Sequence, residues 1–266
     1  MNIAGAALAT VIAQLGSCSF VLLVLKRRNM PVPLTLVRPE KKLSLRIVKM
    51  GFSPFLILAT DSIVIIALNA VLQYFGGPEY GDTLITCATI VQSYMLLITS
   101  PMLGITGGSQ PLISFNYGAN HADRIRKIVF CVLMLCIGFT TFMFLVSRII
   151  PQYFVRIFTD TPEYMELSIW GIRVFTLAII PLSFQYVFVD ALTALSMTRL
   201  SLLLSLFRKA AYFLATCLLP MFLAAKMAFY AEPIADGLAF FSSSTAFFFI
   251  YRKYLRGEGR LTRINF

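Results

Sequence analysis

Gly104 to Ala119 reads G-I-T-G-G-S-Q-P-L-I-S-F-N-Y-G-A and follows an apolar run that already holds Pro101. Glycine or proline stands at positions 101, 104, 107, 108, 111 and 118. A proline inside a helix costs roughly 3 kcal/mol or more, and each glycine about 1 kcal/mol relative to alanine. The spacing therefore predicts an irregular helix here. Next to a membrane-length apolar segment, such weak points are tolerated where backbone lines a cavity or packs on protein, not where it meets lipid. The plainer alternative is a kinked helix end running into a loop.

The surrounding composition sets the solvent. The 266 residues are 58% hydrophobic and only 13% charged, with a mean hydropathy of +0.81. That leaves too little polar surface for a soluble domain of this size, so the chain reads as an integral membrane protein. Alternating strands of about ten residues, the mark of a membrane barrel, are absent. The expected fold class is all-α, a polytopic bundle of membrane helices. Apolar segments of helical length fall at 3–25, 46–74, 83–108, 127–148, 164–196, 201–225 and 231–251, giving seven expected spans. The sixth is interrupted by Arg208 and Lys209, and the seventh opens with Glu232 and Asp236. Both sets of charges are expected near segment ends, in reach of the interface.

The net charge of +11 raises nucleic acid as a partner, but the basic residues cluster between apolar runs, where membrane orientation accounts for them. Lys26 to Lys49 holds eight of them, and the next loop carries Glu79 and Asp82 with no basic residue. Basic and acidic or neutral loops then alternate to the tail, which holds Arg252, Lys253, Arg256, Arg260 and Arg263. Nineteen of the 23 Lys and Arg fall on one side. The positive-inside rule then predicts an external N-terminus and a cytoplasmic C-terminus. The first helix has no basic residue before it and its positive cluster after it, the wrong polarity for a cleaved signal peptide. Its small residues Gly5, Ala6, Ala7, Ala9 and Ala13 suit close contact with other helices. Residues 29–45, with Pro31, Pro33 and Pro39, read as a polar linker that sets this helix apart.

Two acids lie inside apolar spans, Asp61 and Asp190. An ionised carboxylate at the bilayer centre costs about 2.5–3.5 kcal/mol on insertion scales, which marks both as candidates for proton exchange or Na⁺ binding. The structural alternative is pairing with Arg173 or snorkelling to the interface. Asn69, Gln92, Gln110, Asn116 and Gln185 are neutral polar residues that could line a cavity or a gate, or bond between helices. From Thr83 to Asn116 a continuous helix would reach about 51 Å, against a bilayer core of about 30 Å. Gln110 and Asn116 therefore belong at the cytoplasmic mouth, as gate or packing residues. The five cysteines sit in apolar runs without C-x-x-C spacing and read as small hydrophobes. One histidine, His121, gives no support for a metal site. With no G-x-S-x-G, H-E-x-x-H or G-x-x-x-x-G-K-[ST] motif, an enzyme or ATPase reading has no residues to stand on.

Gly104 to Ala119 strongly resembles the end of the eighth helix of multidrug and toxic compound extrusion (MATE) transporters, where G-x-T-Q-G-x-Q-P-I-I-x-x-N-Y-G-A is common. Gly5 to Gln14 is similar to the family's sixth helix, Gly51-Phe52-Ser53-Pro54-Phe55 to the start of its seventh, and Ala231-Glu232-Pro233-Ile234-Ala235-Asp236 to the start of its last. The resemblance implies helices 6–12 of a twelve-helix transporter. Residues 1–28 would be the last helix of the N-lobe, 29–45 the cytoplasmic interlobe linker, 46–256 a six-helix C-lobe and 257–266 a cytoplasmic tail.

It further implies Na⁺- or H⁺-coupled antiport of small-molecule xenobiotics, often cationic, in a bacterial-type plasma membrane. No cofactor is implied beyond the coupling ion. Some relatives place coupling acids in the seventh and tenth helices, where Asp61 and Asp190 fall. Others use an acid in the first helix, which this chain lacks. Gly107 departs from the family's usual glutamine. The other readings are a transport-incompetent fragment, a half-transporter needing the missing N-terminal lobe as a separate chain, and a lipid-linked-sugar flippase of the same superfamily. A seven-helix receptor shares the topology, and Asp123-Arg124 invites that comparison. The seventh helix offers no lysine for a retinal Schiff base, however, and the four ordered matches would be left without an account.

Overall fold

The computed structural model describes residues 3–26 and 40–255. Most of the expected linker and the whole of the expected tail at 257–266 lie outside them. The chain divides into two units, residues 1–50 and 51–266. In the first unit, α1 (Ile3–Leu25) is one uninterrupted apolar helix. None of its described side chains is buried.

All described regular structure is helical. α2 (Lys41–Gly118) is broken at Gly77, whose φ of 72° and ψ of −174° are not helical. α3 is Ala122–Ile149, α4 Pro151–Val155, α5 Pro162–Phe175 and α6 Ile179–Ala194. A 3₁₀ turn, Thr176–Ala178, joins α5 to α6. α7 is Thr198–Phe222, and a second 3₁₀ segment, Ala225–Tyr230, leads into α8, Ala231–Ile250. Seven stretches among the described residues are long and apolar enough to cross a membrane, at 7–25, 55–78, 80–118, 122–149, 162–194, 198–222 and 225–253. They match the seven expected spans in order.

Local sequence explains the joints. At Gly76-Gly77-Pro78 the chain folds back so tightly that a Cβ on Gly76 would lie 2.7 Å from the Gly81 Cα. Gly77 takes the left-handed φ that residues with a Cβ rarely adopt. Pro162 opens α5 behind an extended Thr161, with Glu163 in the first turn. The Thr161 side chain makes no capping hydrogen bond, contrary to the usual N-cap role. Pro181 lies in the first turn of α6, just after the 3₁₀ turn. Proline has no N–H for the carbonyl four residues back, and its ring crowds that carbonyl.

Gly104 to Ala119 corrects the opening expectation. The second arm of α2 is helical throughout from Tyr80 to Gly118. It ends where Asn120 adopts a φ of 61°. Buried side chains along this arm recur at helical spacing: Leu84, Cys87, Val91, Met95, Ile98 and Met102, then Thr106, Ser109, Ile113 and Asn116. That continuous inward stripe holds the helix against the bundle and outweighs the local propensity penalties. The glycines face the other way. Gly104, Gly107, Gly108 and Gly118 are exposed, and a Cβ at any of them would meet nothing within 4 Å.

The core runs between this arm, α3, α5 and α6, with Ile98, Ile125, Ile172, Ile179, Leu182 and Leu192 among its fully buried side chains. Cys87 and Cys136 are buried as expected, whereas Cys18 and Cys131 are exposed on apolar helix surfaces.

Candidate functional site

α7 and α8 pack against each other. Arg208 stands fourteen residues before the end of α7 at Phe222, about 21 Å along the helix at 1.5 Å per residue. On the other arm, the 3₁₀ segment rises about 2.0 Å per residue before α8 begins, and it lifts Asp236 to a similar height of about 21 Å. The sequence placed these charges near segment ends. The structure puts them at the middle of the hairpin, and so removes Arg208 and Lys209 from the nineteen basic residues counted on one side.

At that level the charges satisfy one another. The Arg208 guanidinium donates through Nε to Asp236 Oδ1 at 2.7 Å and through Nη2 to Glu232 Oε1 at 2.6 Å. Its side chain is 17% exposed, that of Glu232 14% and that of Asp236 0%. Asp236 Oδ2 is buried with no hydrogen-bond partner. Glu232 and Asp236 are one helical turn apart on α8, so both meet the same guanidinium. Tyr186 on α6 and Tyr212 on α7 sit within electrostatic reach of this trio.

Lys209, the next residue, reaches the first arm of α2. Its ammonium donates to Asp61 Oδ1 and to the Ile57 carbonyl at 3.1 Å. Asp61 and Ile57 are one turn apart, so a single ammonium bridges both acceptors. The lysine is 8% exposed and the aspartate 49%. Asp61 is thus neither free nor paired with Arg173, whose Nη2 donates instead to the Arg148 carbonyl at 3.4 Å. α7 therefore ties α8 to α2 through two adjacent basic residues.

Asp190 lies apart from this cluster. It is half-buried on α6, within electrostatic reach of Thr106 and Gln110 on the glycine-rich arm. Among the described residues no ion pair or hydrogen bond joins it to Arg208 or Lys209. Nearby, Ser114 Oγ donates to the Ala194 carbonyl at 3.0 Å. Asn116 is buried but bonds within its own helix, Nδ2 to the Leu112 carbonyl at 2.8 Å, and its Oδ1 has no partner. Gln185 is buried with Oε1 unpartnered, while Asn69 and Gln92 are half-buried. Asp61 and Asp190 thus lie in two separate places, and Arg208, Lys209, Glu232 and Asp236 join the first. Their signal in the sequence was a pair of cations ten residues inside an apolar helix.

The profile of the MatE family matches residues 58–209. The chain belongs to the MatE family. The match covers Asp61, Asp190, Arg208 and Lys209, and ends before the two acids of α8. The chain is similar to the multidrug export protein MepA of Staphylococcus aureus strain MSSA476, 26% identical over 180 residues, covering 65% of this chain and 38% of that protein. A MepA of Staphylococcus saprophyticus is 25% identical over 179 residues, with the same coverage. The chain therefore spans less than half the length of these curated relatives.

The fold matches an outward-facing structure of a multidrug resistance MATE family transporter with a TM-score of 0.78, at 17% identity. An inward-facing structure matches at 0.73 and 16% identity. In these comparisons 93% of this chain aligns with 57% and 58% of the respective structures. Members of the MatE family are transporters, not enzymes.

Proposed function

We propose that this MatE chain takes part in multidrug efflux, as cation-coupled antiport by alternating access. The observation that carries the reading is the charge cluster of α2, α7 and α8 at mid-depth in apolar helices, buried apart from the half-exposed Asp61. Ionisable groups are expensive there and mark ion or substrate pathways. The cluster ties three helices through charges, so protonation or ion binding at one acid changes how the three hold together. Good TM-scores against both an outward-facing and an inward-facing transporter support a body that keeps its fold while access changes sides. The substrates are small xenobiotics, often cationic. The membrane is the bacterial plasma membrane, with the N-terminus outside and the C-terminus in the cytoplasm. Residues 46–256 act as one lobe, and 29–45 as the linker from the helix before it.

The test is dye accumulation in a bacterial strain stripped of its own efflux pumps. Cells making the chain should hold less of a fluorescent cationic dye than vector controls, and a protonophore or sodium ionophore should abolish the difference. Dye levels equal to the control, with the chain verified in the membrane, would remove the reading of the chain as sufficient. A second reading is favoured by the 38% coverage of the curated relatives and by the unburied flank of α1. Here the chain works as one lobe beside a separate chain supplying five further helices. Efflux that appears only when those helices are co-expressed selects this second reading. Failure of both arms sinks transport altogether.

A further inference from the structure

The cluster on α2, α7 and α8 holds three carboxylates, Asp61, Glu232 and Asp236, against two cations, Arg208 and Lys209. With every group ionised it carries one uncompensated negative charge at the middle of the hairpin. In a medium where charge is expensive, that imbalance calls for one more positive charge.

Geometry says where it goes. Lys209 engages Asp61, and Arg208 engages Glu232 and one oxygen of Asp236. The remaining Asp236 oxygen, Oδ2, is buried and accepts nothing, on a residue with no exposed surface. A Na⁺ ion would need several oxygen ligands converging there, and hard cations of this kind take about six. The neighbours that face Asp236 are ill suited to that. From α7 come Arg208, with Lys209 next to it, and Tyr212; from α6 comes Tyr186; from α8 comes Glu232, already bound to Arg208. Asp61, from α2, is held by Lys209. Among the described residues no group of three acidic, histidine or cysteine side chains could hold a metal ion.

We infer that the cluster takes up its missing positive charge as a single proton on Oδ2 of Asp236. The proton comes from a hydronium ion of the aqueous phase, which is left as water, forms an O–H bond on the carboxylate and leaves the five-residue cluster neutral. This deepens the efflux reading and rests on it for its meaning, since it assigns the coupling ion as H⁺. It places the exchangeable proton on α8, not on Asp61, whose charge is already balanced by a tethered ammonium.

Infrared spectroscopy of the purified full chain in lipid nanodiscs tests this directly. A pH titration should show protonated-carboxyl C=O bands from several acids, one of which is absent from D236N. Charge counting also sets the direction of every neighbour's effect. E232Q or D61N removes a negative charge and should move the titration of that band to lower pH. K209M removes a positive charge and should move it to higher pH. These shifts distinguish a titrating site from a purely structural acid, and they keep the test open if D236N fails to fold. Adding Na⁺ at fixed pH should leave the band unchanged. A D236N chain with every band of the parent, loss of the assigned band on adding Na⁺, or shifts of the wrong sign in E232Q and K209M overturns the inference. Dye efflux is read separately. A chain that shows the band but moves no dye counts against transport and leaves the proton site standing.

Discussion

Replacing Arg208 with methionine isolates what the mid-hairpin ion cluster contributes. The guanidinium makes two charge-assisted hydrogen bonds, of 2.7 and 2.6 Å, to acids that are 0% and 14% exposed. Removing it leaves Glu232 and Asp236 one turn apart with no other cation in contact. Breaking a buried pair by deleting one partner costs about 3–5 kcal/mol, equivalent to a shift of two to three and a half powers of ten in an equilibrium constant at about 1.4 kcal/mol per decade.

Two buried thiols provide the assay. Cys87 and Cys136 are both 0% exposed, whereas Cys18 and Cys131 lie on the surface. In detergent-solubilised chain, a thiol-reactive dye labels the surface pair at once and the buried pair only on unfolding, so labelling against temperature reports stability. R208M should unfold at a clearly lower temperature than the parent. R208M/E232Q/D236N should recover most of the loss, because a neutral cluster leaves no charge stranded. R208M as stable as the parent, or a triple variant no better than R208M alone, refutes the argument that these charges are mutually dependent.

Asymmetry of burial makes a second prediction for the neighbouring pair. D61N strands the 8%-exposed Lys209, whereas K209M strands an Asp61 that is 49% exposed, so D61N should lower the same thiol-labelling transition more than K209M. At Gly171 a Cβ would lie 2.8 Å from Val91 Cγ2 and 3.0 Å from Phe229 Cε1. G171A should therefore destabilise by about 1–3 kcal/mol through overpacking, read as a lowered melting temperature. G104A meets open space and removes a poor helix former, so it should be neutral or stabilising by up to about 1 kcal/mol in the same measurement. G77A forces a φ of 72° on a residue with a Cβ and should cost roughly 1–2 kcal/mol, seen as a lower melting temperature with unchanged helix content by circular dichroism.

The span count was legible because hydrocarbon thickness leaves its mark in apolar run length. The reversal at Gly76-Gly77-Pro78 needs the left-handed residue that glycine supplies, and the start of α5 has the proline that fits its first position. The failure at Gly104 to Ala119 came from treating glycine and proline as decisive where they were only penalties. The buried stripe from Leu84 to Asn116, tertiary in origin, outweighs them. Asp61 and Asp190 stood out as lone acids in apolar runs. Arg208 and Lys209 were visible as cations inside an apolar run but were assigned to its end, and the depth of Glu232 and Asp236 was hidden because it depends on the 3₁₀ segment Ala225–Tyr230. Without that segment the last helix appeared to begin at its acids, and charges at mid-height were assigned to the interface. Partner choice was hidden as well: nothing in linear spacing says that adjacent basic residues on α7 turn to different helices.

The pairing across α7 and α8 bears on how the chain enters the bilayer. Presented alone, α7 carries an arginine and a lysine at its middle, each costing about 2.5–3.5 kcal/mol to place at the centre of a membrane helix. Arg208 meets its counter-charges only when α8 arrives, and the turn between the helices is short. The two are thereby committed to insert as a hairpin, with the acids of the later helix neutralising the arginine of the earlier one during synthesis. In a translocation assay, α7 alone should pass through or stall, whereas the α7–α8 pair integrates, and E232Q/D236N should return the pair to the behaviour of α7 by itself.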